Sequence, residues 1–268
     1  MSVALGLQDR VVVVTGGSRG VGRGIAQRFL EAGAQVVICG RNQPETLPSH
    51  AGREALFVAA DVREVEQIER VVECTTARFG RLDVLVNNAG GAPYAEAASA
   101  SPRFHEAIIR LNLVAALHFA QRANAIMQRQ EEGGAIVNVS SVSGTRPSPG
   151  TAAYGAAKAG LLSLTQSLAV EWAPRVRVNA VTVGMVRTEL SHLHYGDAQT
   201  LARVEKTVPL GRLAEPGDVG DACLFLCSPL ARYVSGASLL LHGGGERPAF
   251  LSAVGASARG EADGPAED

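Results

Sequence analysis

The sequence predicts a doubly wound α/β fold, a single domain built on a seven-stranded parallel sheet with helices on both faces. Three observations carry this. Residues 11–14 and 35–39 are short runs rich in valine and isoleucine with almost no polar alternation, as strands covered on both faces are. Between such runs stand longer segments of helical periodicity, which give crossovers long enough for parallel pairing. The first strand also runs directly into Thr15-Gly16-Gly17-Ser18-Arg19-Gly20-Val21-Gly22, and a helical pattern over 25–32, closed by Gly33, follows.

In such a strand-to-helix turn, glycines let backbone amides and a helix N-terminus approach a pyrophosphate closely. The second strand, 35–39, ends in Gly40-Arg41, where a dinucleotide-binding unit places the residue that meets the adenosine ribose. An acid there would accept from a free 2′-hydroxyl. This chain instead offers Arg41 and, in the glycine turn, Arg19, and two guanidiniums suit a 2′-phosphate. NADP(H) is therefore the expected cofactor, in preference to NAD(H); the competing reading makes both arginines solvated surface residues.

Residues 42–53 contain prolines and little periodicity, so the second crossover reads as a short helix or a loop. The third strand, 56–60, ends at Asp61-Val62, and an amphipathic helix covers 65–79. The fourth strand, 82–86, ends in Asn87-Asn88-Ala89-Gly90 at the carboxyl edge, where open α/β sheets bind ligands. These amides serve a cofactor, the turn, or both. Residues 102–130 read as one long helix containing Asn112, a poor helix former that either caps a local irregularity or orients water. The fifth strand, 135–139, delivers Ser140 and Ser141 to the same edge. A long helix over 152–172, a sixth strand over 176–181, a helix over 219–227 and a seventh strand over 238–241 complete the pattern.

Chemistry concentrates between Ser141 and Lys158. Tyr154 and Lys158 are four residues apart in a helical run, so they share a face. At about 5 Å and an effective dielectric of about 20, an ammonium favours a phenolate by roughly 3 kcal/mol. That is about two pKa units, enough to make a tyrosine a usable general acid or base.

The composition excludes several classes. With 25 basic and 26 acidic residues dispersed along 268, there is no basic footprint for nucleic acid, and a small molecule is the expected partner. No apolar run approaches the ~20 residues that cross a bilayer, and no leader pattern opens the chain, so a soluble, unprocessed, cytoplasmic protein is expected. Cys39, Cys74, Cys223 and Cys227 lack metal or redox spacing and read as buried structural thiols. Residues 259–268 are polar and acidic, as a frayed tail is.

In order, then, the chain shows TGGSRGVG at 15–22, Asp61-Val62, NNAG at 87–90, Asn112, Ser141 and YGAAK at 154–158, with Tyr154 thirteen residues after Ser141. This ordered set resembles the short-chain dehydrogenase/reductase family, of the 3-oxoacyl reductase type, over nearly all of 7–244. The resemblance implies a Rossmann sheet of order 3-2-1-4-5-6-7. It also implies roles. Tyr154 would exchange a proton with the substrate oxygen and Ser141 would hydrogen-bond that oxygen. Lys158 would hold the nicotinamide ribose and lower the tyrosine's pKa, and Asn112 would tie a water into the proton path. Gly16, Ser18, Arg19, Gly20, Val21, Gly22, Arg41, Asp61, Val62, Asn88, Ala89 and Gly90 would contact the cofactor, as would Tyr154 and Lys158. Gly184, Val186 and Thr188 would lie near the nicotinamide.

Departures from the family pattern are Val183-Gly184, where many members have Pro-Gly, and His242, where an acid is frequent; His242 reads as a turn residue. Residues 1–245 are expected to form the domain and 246–268 an extension, whose apolar 248–251 would cover a neighbour or the site, or fray. A mobile lid is expected between Thr188 and Leu213. Within it His192 and His194 read as substrate contacts or surface, with metal the weaker alternative. Arg175 near an entrance would suit a carrier-bound substrate, but Glu131-Glu132 would repel an acidic carrier, so a small or CoA-linked carbonyl compound is favoured. Helical segments 104–127 and 156–172 are apolar around more than one face, as expected of a homodimer or homotetramer packed through four helices. Two other readings stand beside the reductase: an NAD-dependent alcohol or hydroxysteroid dehydrogenase running oxidatively, and a non-catalytic nucleotide-binding regulator.

Overall fold

The computed structural model describes residues 5–191 and 195–246. Its centre is β1 (Val11–Thr15), buried along its whole length. Alternation sends Val12 and Val14 to one face and Val13 to the other, so each face nucleates its own core. On the first face lie Ile25 and Phe29 of α1 (Gly20–Glu31) and Val219 and Cys223 of α7 (Pro216–Cys227). The other carries Ile68 and Val71 of α2 (Val65–Phe79), Phe119 and Met127 of α4 (Ala115–Met127), and Leu168 of α5 (Ala152–Glu171). A sheet covered on both faces explains why its strands read as apolar runs.

The remaining strands of the large sheet are β2 (Gln35–Gly40), β5 (Leu56–Ala59), β6 (Val84–Asn87), β7 (Gly134–Ser141), β8 (Val176–Val183) and β9 (Ser238–Leu241). Their spatial order is β5-β2-β1-β6-β7-β8-β9, all parallel. This is the doubly wound arrangement, with the order the motifs implied. Buried polar groups tie the catalytic half together. Asn87 Nδ2 donates to Asn138 Oδ1 at 3.0 Å, and Asn138 Nδ2 to Thr165 Oγ1 at 2.9 Å, linking β6, β7 and α5.

Three local differences from the sequence reading have physical causes. The expected helix over 102–130 is broken into α3 (Pro102–Ile109), a π-helical turn at Arg110–Val114, and α4. Asn112 sits in that turn; its Nδ2 donates to the Ile108 carbonyl at 2.9 Å and to the Gly91 carbonyl at 3.0 Å. Residues 42–53 form no helix; after the prolines comes a short hairpin, β3 (Ser49–His50) with β4 (Arg53–Glu54), turned through Ala51 and Gly52 at positive φ. Within the expected lid lies α6 (Ala198–Glu205), started by Asp197 accepting from Thr200 N. His192 and His194, and the apolar stretch 248–251, lie outside the described residues.

Candidate active site

At the carboxyl edge of the sheet runs a cavity of about 770 Å³, from the glycine turn to Tyr154. Every residue expected from the sequence to act in catalysis or to contact a cofactor lines it, except Asn112. Two turns fix its floor. Gly20 takes φ +53°, a conformation open to glycine at little cost, and a Cβ on Gly22 would collide with the Gly16 carbonyl. Thr15, to which the sequence assigns no role, holds the two turns together. Its Oγ1 accepts from both Asn88 N and Ala89 N at 2.9 Å, while Asn88 Nδ2 donates back to the Thr15 carbonyl at 2.9 Å. The signal for it is a lone hydroxyl ending an all-valine strand. Asn88 thus serves the turn through Nδ2 and also lines the cavity.

Arg19 and Arg41 are exposed at the adenosine end, and neither side chain makes a hydrogen bond or ion pair among the described residues. Asp61 is engaged by Arg63, whose Nε donates to Oδ1 at 2.9 Å. That contact holds the Asp61 carboxyl below its usual range. Glu189, also unflagged by the sequence, reaches back from the lid: Gly20 N donates to its Oε1 at 3.0 Å, at the first turn of α1. The acid-free first turn of that helix leaves its amides available to such an acceptor.

At the other end, β7 delivers Ser141 and α5 delivers Tyr154 and Lys158. The Ser141 hydroxyl is hydrogen-bonded to the Tyr154 phenol. Lys158 Nζ lies 5.6 Å from the Tyr154 ring centroid and donates to the Val139 carbonyl at 2.7 Å. Behind them Gly90 is squeezed: a Cβ there would stand 2.6 Å from Asn112 Oδ1 and 3.4 Å from Lys158 Nζ. Asn112 Oδ1 also accepts from Gly91 N at 2.8 Å, so the carboxamide clamps the turn after β6 against the end of α3.

The electrostatics depart from the expectation drawn from spacing. Burial raises the Tyr154 pKa, offset in part by Ser141, and no lowering by Lys158 counters it. Burial likewise brings the Lys158 ammonium down from 10.5 to about 8. Spacing alone treats the two groups as partly solvated; in the folded chain both are enclosed, and desolvation outweighs their attraction.

Arg175, Glu131 and Glu132 correct another expectation. They lie at the amino-terminal edge of the sheet, where Arg175 donates to the Gln130 carbonyl and Glu132 pairs with Arg10 and Arg81. They therefore have no bearing on the substrate entrance. His242 packs against Gly184, whose Cβ would meet its Cβ at 2.8 Å, and its carbonyl accepts from Gly245 N. Burial pushes the Cys39 and Cys227 thiols up to about 12, and raises that of Cys223 as well. Cys74 is half-buried, so it departs from the expected set of fully buried thiols. Among the described residues no cluster of three metal-binding side chains occurs, and no helix is long and apolar enough to cross a membrane.

A parallel sheet with a glycine turn at one end of its edge cavity, and a serine, tyrosine and lysine at the other, defines a nucleotide-dependent oxidoreductase site. Comparison with known proteins agrees. The family described as enoyl-(acyl carrier protein) reductase matches residues 16–246. L-rhamnose 1-dehydrogenase (NAD(P)(+)) of Azotobacter vinelandii is 39% identical over 248 residues, covering 89% of this chain and 97% of the relative. The 3-oxoacyl-[acyl-carrier-protein] reductase FabG of Vibrio cholerae is 35% identical, covering 90% and 98%. Among solved structures, ligand-free aldohexose dehydrogenase of Thermoplasma acidophilum superposes with a TM-score of 0.83 at 31% identity, covering 90% and 96%. The chain belongs to the short-chain dehydrogenase/reductase family.

Proposed function

We propose that this chain is an NADP(H)-dependent enzyme interconverting a ketone and a secondary alcohol, with Tyr154 as the group that gives and takes the proton. The observation that carries the reading is the convergence of Ser141, Tyr154 and Lys158 on one end of the cavity whose other end is the glycine turn. The cavity falls in the size range of cofactor sites, and its glycine floor, α1 amides and two unengaged arginines fit a phosphorylated dinucleotide. Gly16, Gly20, Val21 and Gly22 would hold its pyrophosphate, and Arg19 and Arg41 a 2′-phosphate. Val62, Ala89 and Gly90 would line the adenine and ribose, and Gly184, Val186 and Thr188 the nicotinamide. Bound there, such a dinucleotide supplies or accepts the hydride.

The protein's own groups manage the proton. Because burial raises its pKa, Tyr154 is protonated at neutral pH and able to donate from Oη to a carbonyl oxygen that gains negative charge. Ser141 Oγ, bonded to the same phenol, is placed to hydrogen-bond that oxygen and fix it. Lys158, largely charged at pH 7, lies beside the ring and would hold the ribose of the bound dinucleotide. Asn112 holds the turn at Gly90 and Gly91, and one lone pair of its Oδ1 remains for a water in the proton path.

The outward face of α5 presents Ala152, Ala156, Ala159, Ser163, Gln166 and Val170, small or apolar apart from Gln166, and supports a homodimer or homotetramer packed through α4 and α5. We place the catalytic domain at 1–245, with 246–268 as an extension, in a cytoplasmic enzyme.

One observation favours a second reading. Arg146 Nη2 donates to Glu246 at 2.5 Å, and Glu246 and Tyr154 both act electrostatically on Tyr195. Tyr195 is thus within electrostatic range of both Tyr154 and Glu246, and two of the relatives are named for sugars. Oxidation of a sugar hemiacetal carbon with NAD(P)⁺ is the alternative. The test is nicotinamide absorbance with NADPH against 3-oxoacyl-CoA esters, diketones and ketosteroids, and with NAD⁺ and NADP⁺ against L-rhamnose and aldohexoses. NADPH-driven reduction supports the first reading; turnover confined to sugars moves the assignment to the second.

A further inference from the structure

The amino-terminal edge of the sheet, remote from the catalytic edge, carries a second cavity of about 240 Å³. Arg177 opens β8 beside this cavity and Val183 ends the strand in the catalytic one, so the two cavities stand about 20 Å apart along it. Four arginines line it, Arg10, Arg175, Arg177 and Arg232, against two acids, Asp83 and Glu132.

Both acids are already committed. Asp83 takes Arg81 at 2.6 Å and Arg10 at 3.1 Å and accepts from Val11 N, while Glu132 takes Arg81 at 2.7 Å and also Arg10. The other three guanidiniums meet no acid among the described residues. Arg175 Nη1 donates to the Gln130 carbonyl at 2.9 Å. Arg177 Nη1 donates to the Leu226 carbonyl at 2.7 Å, at the end of α7, and to the Val234 carbonyl at 3.2 Å. Arg232 is exposed at the rim with no side-chain hydrogen bond among the described residues. Backbone carbonyls use one terminal nitrogen of Arg175 and of Arg177, leaving the other donors of each fork for a ligand. Burial of Arg177, offset only in part by Cys227, also lowers its pKa, the reverse of what an acid-paired arginine shows.

Three uncompensated guanidiniums around a small concavity attract a compact, multiply charged oxyanion, and their forks match tetrahedral phosphate oxygens. We propose that this cavity binds a small phosphate-bearing anion through Arg175, Arg177 and Arg232. The site is separate from the dinucleotide cradle, and its volume admits inorganic phosphate or a small phosphomonoester.

The test is calorimetric titration and thermal melting of the full chain with inorganic phosphate, against chloride at equal ionic strength. Since the glycine turn also attracts phosphate, the parent protein carries Arg19→Ala and Arg41→Ala. Phosphate at tenfold its Kd should raise Tm by about 4 °C. Adding Arg175→Ala and Arg232→Ala should abolish the shift and weaken Kd at least tenfold. Arg232→Ala alone, at an exposed side chain, serves if the double change melts early in chloride, and should weaken Kd several-fold. A tighter Kd for glucose 6-phosphate than for phosphate assigns the site to a phosphomonoester; the reverse assigns it to the free ion. A shift equalled by chloride, equalled by citrate, or surviving the loss of Arg175 and Arg232 overturns the proposal.

Discussion

Lys158 should make the enzyme less stable than it would be without it. Its ammonium is fully enclosed and burial alone lowers its pKa from 10.5 to about 8. At about 1.4 kcal/mol per unit, the charged form costs the fold roughly 3 kcal/mol at pH 7. Replacement by methionine removes that cost and loses one charge-assisted hydrogen bond, Nζ to the Val139 carbonyl, worth about 2 kcal/mol. The net gain of about 1 kcal/mol corresponds to a rise in Tm of about 3 °C for a chain of this size. The pH dependence has a definite sign. Below about 8 the lysine is protonated in both folded and unfolded chains, and the penalty is complete and constant. Between about 8 and 10.5 the folded protein has released the proton that the unfolded chain still binds, so the wild type gains stability as pH rises. Calorimetric melting of wild type and Lys158→Met at pH 7 and pH 10 reads this directly. The variant should melt higher at pH 7 and lose that advantage by pH 10. A variant melting at or below wild type at pH 7 would refute the reasoning.

Arg41→Ala and Arg19→Ala should each weaken NADPH binding about tenfold and leave NADH unchanged, measured by cofactor fluorescence; equal loss for both cofactors would remove the arginines from 2′-phosphate recognition. Glu189→Gln should tighten dinucleotide binding about two- to fivefold, because its carboxylate accepts from Gly20 N at the end of α1 where a pyrophosphate would sit. Unchanged or weaker binding in titration counts against that competition. Gly90→Ala should cost about 1–3 kcal/mol in denaturant unfolding, since its methyl would press on Asn112 Oδ1 and Lys158 Nζ. A variant as stable as wild type would mean that the packing of Gly90 against Asn112 and Lys158 is loose.

Much of this architecture is legible in the sequence because its signals are local. Four consecutive valines followed by glycines can hardly be anything but a covered strand entering a tight turn, and Tyr154 and Lys158 at helical spacing must share a face. What is not legible depends on partners distant in sequence. The π-helical turn carries Asn112, whose carboxamide bonds to Gly91, and periodicity over 102–130 gives no sign of it. Thr15 matters through amides seventy-three and seventy-four positions away. The pKa of Tyr154 escapes a reading of spacing for a related reason: spacing shows that two groups meet, while the cost of enclosing them depends on everything packed around them. Arg175 and Glu132 lie near strand starts, and direction along a parallel strand, which the sequence does supply, already places them away from the catalytic edge.

The most direct test of the catalytic assignment is Tyr154→Phe, assayed for NADPH binding and for steady-state turnover of the best carbonyl substrate. Loss of the phenol should lower kcat by about 10²–10⁴-fold, the usual worth of a positioned acid or base, with NADPH affinity and Tm near wild type. A variant that binds NADPH and turns over at the wild-type rate would contradict Tyr154 as the proton donor, and with it the roles given to Ser141 and Lys158 around its phenol.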